Sequence, residues 1–120
     1  MKKTATLKFG DKEYTFCYTL GSMRKIEREI GKSLISVVLK FDSKTDQRVG
    51  IDFIIANFRH AVQWGKEVVT DDKIYDIIDD YCDHGGTLDL LGGFILRSLY
   101  ETGFFIPNNL ANQVEEKKKK

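Results

Sequence analysis

Residues 5–31, ATLKFGDKEYTFCYTLGSMRKIEREIG, are the stretch whose reading decides the fold. Ala5, Leu7 and Phe9 alternate with Thr4, Thr6 and Lys8, the period of a strand with one apolar and one polar face. Gly10-Asp11 supplies a tight turn, because glycine reaches positive φ without a Cβ clash and aspartate tolerates it. Tyr14, Phe16 and Tyr18 repeat the alternation on a return strand. At Leu20 the period lengthens to about 3.6 residues. Leu20, Met23, Ile26 and Ile30 then form one apolar stripe, with Arg24, Lys25, Arg28 and Glu29 pointing away from it. Gly31 falls where a left-handed helix C-cap belongs. A hairpin followed by an amphipathic helix therefore opens the chain.

Outward from this stretch the pattern is helical. Ser33 is an N-cap candidate before the apolar stretch Leu34 to Phe41, and residues 43–47 read as a surface loop. Gly50 precedes a helix predicted over Ile51 to Trp64. Its first stripe is Ile51, Ile54, Ile55, Phe58 and Val62; a second, Phe53, Asn57, His60 and Trp64, lies on a neighbouring face. A surface helix needs only one stripe, so the second implies either a deep central helix or a face kept for another chain. Thr70 caps the next helix, with Asp71 and Asp72 where negative charge suits the helix dipole. Ile74, Ile77, Ile78 and Tyr81 form its stripe and Gly85-Gly86 closes it. Thr87 caps a last helix to about Thr102, apolar almost all round and expected to be the buried spine. Gly92-Gly93 within it implies close approach of another backbone or a kink. Gly103 stops that helix, and Phe104-Phe105-Ile106-Pro107 follows, either folding back as a hydrophobic cap or standing out as a docking strip. The expected fold is α+β: an N-terminal β-hairpin and a compact bundle of about four to five α-helices. Residues 1–107 form a single domain, and 108–120 a polar tail expected to be disordered.

The 120 residues suffice for one core without staples. The net charge is +1, but without Lys117–Lys120 the body holds 15 basic against 18 acidic side chains, a balance of −3. A mildly acidic body is no obvious nucleic-acid binder. The apolar runs fall far short of the ~20 residues that span a bilayer. Met1-Lys2-Lys3 starts like a signal peptide, but the alternating segment after it is no apolar core of one. The expected setting is a cytoplasm, with neither nucleic acid nor membrane as partner. Cys17 and Cys82 lack C-x-x-C spacing and are expected to be buried reduced thiols.

No catalytic or metal constellation stands out. The aspartates of 71–84 have helical spacing, not that of a calcium loop, and fit a solvated face. Cys82 and His84, even with Cys17 and His60, match no zinc pattern, and a Cys82 dyad with either histidine has no support in the spacing. Neither glycine pair sits in a phosphate-loop motif. A metal-dependent or cysteine enzyme is therefore the weakest of the readings, and no cofactor is expected.

The run LKFGDKEYTFCYTLGSMRKIEREIGKSLISVV resembles the start of the phage tail assembly chaperones of Gram-positive siphophages and prophages. The residues that carry the resemblance are Lys8, Gly10, Asp11, Lys12, Tyr14, Leu20, Gly21, Ile26, Glu27, Gly31, Ser33 and Leu34, with a shorter echo at Asp71–Asp83. It implies a non-enzymatic protein of the bacterial host cytoplasm, absent from the mature virion. Its implied partners are the tape measure protein, which it coats, the tail tube protein, which it helps recruit, and further copies of itself. The resemblance also implies a longer product made by a programmed frameshift, for which the codons of Lys117–Lys120 are a candidate slippery run. Phe53, His60 and Trp64, with Phe104, Phe105 and Ile106, are the candidate partner-binding residues, because large aromatics favour interfaces. The alternative is a small structural or head–tail connector protein that stays in the virion.

Overall fold

The computed structural model describes residues 2–42 and 49–105. The chain runs β1 (Thr4–Phe9), β2 (Lys12–Cys17), α1 (Leu20–Ile30), α2 (Leu34–Asp42), α3 (Ile51–Ala61), α4 (Asp71–Asp83) and α5 (Leu88–Glu101). This is an α+β fold, a two-stranded antiparallel hairpin followed by five helices among the described residues. Ile106, the loop 43–47, the domain boundary after 107 and the polar tail lie outside the described residues.

Local chemistry accounts for the element ends. Gly10 holds φ at +59° in the turn, and the register runs from Phe9 opposite Lys12 to Thr4 opposite Cys17. Thr19 and Ser22 form a reciprocal capping box at α1: Thr19 Oγ1 accepts from Ser22 N–H at 3.0 Å, and Ser22 Oγ accepts from Thr19 N–H at 2.9 Å. Gly31 ends α1 in the left-handed conformation, and the Glu27 carboxylate turns back to accept from Leu34 N–H at 2.7 Å, capping α2. Thr70 and Thr87 cap α4 and α5 through the amides of Lys73 and Leu90.

α3 is the central helix. It packs against α1, α4, α5 and β2, and both of its stripes contribute to the core: Ile54 and Phe58 from the first, Phe53 and Asn57 from the second. A second apolar stripe is what a helix covered on several sides requires. Phe16, Tyr18 and Phe58 are buried with Ile26, Ile74, Leu91, Ile95 and Leu99 around it.

Four expectations need correction. α3 ends at Ala61, because Val62 takes an extended conformation and bridges to Phe16 on the outer edge of β2; Trp64 lies beyond the helix. Leu20 is 70% exposed, and the core-facing stripe of α1 runs through Met23 and Ile26 instead. Cys82 is exposed and Cys17 half-buried: Cys82 lies next to the stripe of α4, not on it. α5 is buried along Leu91, Ile95, Leu96 and Leu99 but exposes Leu88 and Leu90 in its first turn.

Candidate functional site

A groove of about 400 Å³ lies between the end of α1, α2, the start of α3 and α5. Ile30, Val37, Val49, Ile51, Phe53 and Leu96 form its apolar lining, and Lys32, Lys40 and Asp52 contribute charge around it. Its volume falls in the range of small binding clefts. The sequence builds it by three local devices. Gly31 reverses the chain between α1 and α2, setting Ile30 and Val37 on facing walls. Gly50 caps α3 in an extended conformation without a side-chain cap, so no bulk fills the groove there. Gly92 lets Val49 seat against α5; a Cβ at that glycine would stand 2.6 Å from Val49 Cγ2. Gly93 has open space at the same position, so the glycine pair marks one close approach, made by a side chain.

The surface around the groove carries further apolar groups. Ile51 is 56% exposed at the groove, and Ile35 and Leu39, four residues apart on α2, face solvent. Single exposed apolar residues are ordinary, whereas an apolar concavity with an exposed apolar neighbour is a feature of partner sites.

The candidate partner-binding residues do not converge on one face. Phe53 is 5% exposed and belongs to the core, reaching solvent only through the groove. Of the two readings of the second stripe, the deep central helix holds at Phe53 and Asn57, whereas His60 and Trp64 are only half-buried. His60 lies two turns along α3, where its Nε2 is 2.8 Å from Glu29 Oε1 of α1. The same oxygen accepts from Arg59 Nε at 3.0 Å, and Arg59 also pairs with Asp71 of α4. His60 thus belongs to a polar clasp joining α1, α3 and α4. Trp64 is half-buried; its Nε1–H donates to the Phe58 carbonyl at 2.9 Å, and its ring lies against Tyr14. Phe105 folds back into the core, as a hydrophobic cap would. Phe104 is 38% exposed under the Lys3 ammonium, 4.4 Å from its ring centre. The groove walls from α2 and α5, Val37 and Leu96, went unnoticed in the sequence as partner-binding candidates. The signal available there was the run 34–39, apolar apart from Ser36, lying between Lys32 and Lys40.

At the opposite end the hairpin turn docks on the end of α4. Lys12 Nζ lies 2.9 Å from Asp80 Oδ2 and holds that carboxyl below the ordinary aspartate range. His84 Nδ1–H donates to the Asp80 carbonyl at 2.8 Å, and its ring packs near Phe9. A Cβ at Gly10 would stand 2.8 Å from His84 Nε2, so this glycine serves both the turn and the contact. Among the described residues, no three histidine, cysteine or acidic side chains come together as metal ligands would.

Fold and groove together define a small α+β domain with an apolar cleft. The chain belongs to a family of unknown function, DUF6096, whose model matches residues 1–118. No curated protein and no solved structure matches it. Among the described residues no helix is long and apolar enough to cross a membrane.

Proposed function

We propose that this protein is a tail assembly chaperone of a phage or prophage. It binds the tape measure protein in the host cytoplasm, helps recruit tail tube subunits, and leaves before the virion matures. The observation that carries the proposal is the opening segment from Lys8 to Leu34, whose hairpin, capped helix and Gly-Lys-Ser-Leu exit resemble that class. The groove supports it by offering a client a surface. A helical client presents apolar residues at i, i+3 and i+4, and an apolar groove between helices receives such a row.

The test is co-expression with the tape measure protein of the same phage or prophage, followed by affinity purification of one partner. Co-purification, with the tape measure soluble only in this chain's presence, is the expected result. A tape measure that stays insoluble and unbound, both with this chain and with any longer frameshift product, overturns the proposal. Mass spectrometry of purified particles separates the connector alternative: a chaperone is absent from them, a connector present.

A further inference from the structure

Among the described residues the hairpin has one edge met by another segment and one open edge. Backbone bonds fix which peptide groups point where. Tyr18 N–H donates to the Lys3 carbonyl at 2.8 Å, so odd residues of β1 direct their backbone groups toward β2. The peptide groups of Thr4, Thr6 and Lys8 therefore point outward. On the far side of β2, Gln63 N–H donates to the Thr15 carbonyl at 2.9 Å and Val62 bridges to Phe16, which covers that edge around Phe16. On the outer side of β1, Lys2 N–H is taken by the Glu101 carbonyl at 2.9 Å. Beyond that point, among the described residues, no backbone bond reaches Thr4, Thr6 or Lys8 from outside the hairpin. A row of unpaired peptide groups is a template for another strand.

We infer that this edge pairs with the same edge of a second copy, β1 antiparallel to β1 about a two-fold axis at Thr6, making a four-stranded sheet across two chains. Self-complementarity selects the occupant. Centring on Thr6 uses the whole open stretch from Thr4 to Lys8. Thr6 then faces the same residue of the second copy, and Lys8 faces Thr4, so no like charges meet. Ala5 faces Leu7 on the other side, so the apolar face of one hairpin continues into the next. Centring on Lys8 instead would set two ammonium groups opposite each other. Shifting toward Thr4 would drive the second strand into Glu101, where α5 already holds Lys2. This contact is the copy-to-copy contact a coat needs, and it rests on the chaperone proposal for its purpose. The test uses the purified chain without a client, so its failure leaves client binding to be judged by co-purification.

Cys17 and Cys82 are first replaced by serine to remove background thiols. In that protein Thr6→Cys places two sulfurs on residues whose Cα atoms are about 5.5 Å apart across the pair, within disulfide reach. Thr4→Cys is the control, because its copies are about 13 Å apart along the strands. The expected result has three parts. The unsubstituted chain sediments as a dimer or larger, and Thr6→Lys, which sets like charges opposite each other on an exposed position, shifts it to a monomer that keeps the parent's far-ultraviolet circular dichroism. Mild oxidation cross-links the Thr6→Cys protein and not the Thr4→Cys protein. A chain that is monomeric at every concentration overturns the inference. So does self-association that survives Thr6→Lys while Thr6→Cys cross-links no faster than Thr4→Cys.

Discussion

Tyr18 and Asn57 make the one buried side-chain hydrogen bond that joins the hairpin strand end to the central helix among the described residues. The Tyr18 hydroxyl donates to Asn57 Oδ1 at 2.9 Å, and Asn57 Nδ2–H donates to the Phe53 carbonyl one turn back at 2.8 Å. Both side chains are fully enclosed. Removing one partner of a buried pair leaves the other unsatisfied, at a cost of about 1–3 kcal/mol. Tyr18→Phe is accordingly expected to lower stability in urea unfolding by about that amount, with the fold retained. Burial also pushes the Tyr18 hydroxyl far above its ordinary pKa. An unfolded tyrosine loses its proton near pH 10 while the folded one keeps it, so above about pH 10 the unfolded state binds fewer protons. Stability is then present in full below that pH and falls as pH rises. The alkaline fall should be shallower in Tyr18→Phe, read as urea midpoints between pH 8 and 11. Asn57 was legible in the sequence as a member of a helical stripe. Its role was not, because a stripe names a face and says nothing of which hydroxyl meets it.

Between elements, the packing of α5 turns on one glycine of an adjacent pair. In Gly92→Ala the new methyl meets Val49, a branched side chain with little freedom to move, and overpacking of this kind costs about 1–3 kcal/mol. Gly93→Ala adds a methyl into open space within a helix and is expected to stabilise by about 0.5–1 kcal/mol. Thermal melts of the two variants should therefore move in opposite directions. The sequence showed that these glycines needed a reason. It could not say which of the two faced a neighbour, since Val49 lies more than forty positions away. Capping is the opposite case. Thr70 and Thr87 were readable as caps because their partners lie three residues along the same chain.

For the molecule as a whole, the groove separates binding from stability. Phe53→Ala removes a buried aromatic and is expected to cost about 3–5 kcal/mol, seen as an early unfolding midpoint. Loss of client binding in that variant would follow from unfolding. Ile51→Asp is the informative change, because Ile51 lines the same groove and is largely exposed. Its melting temperature should stay within a degree or two of the parent, whereas retention of the tape measure protein in co-purification should drop by about tenfold or more if the client seats there. Unchanged retention would move the client site off the groove.

What the sequence determined by itself was the order and kind of the elements: the hairpin from its period of two, α1 from the change of period at Leu20, the helix ends from Gly31, Thr70 and Thr87. These depend on interactions within a few residues, so they are written locally. Tertiary structure decided which apolar residues are core and which line a surface. Phe53 and Ile51 both read as helix stripes, yet one is enclosed by α5 and its neighbours and the other opens on the groove. Phe104 and Phe105 are adjacent, and only the chain path after Gly103 sends one inward and leaves the other beside Lys3. Burial is set by elements distant in sequence, and the groove exists only where α1, α2, α3 and α5 fail to close on one another.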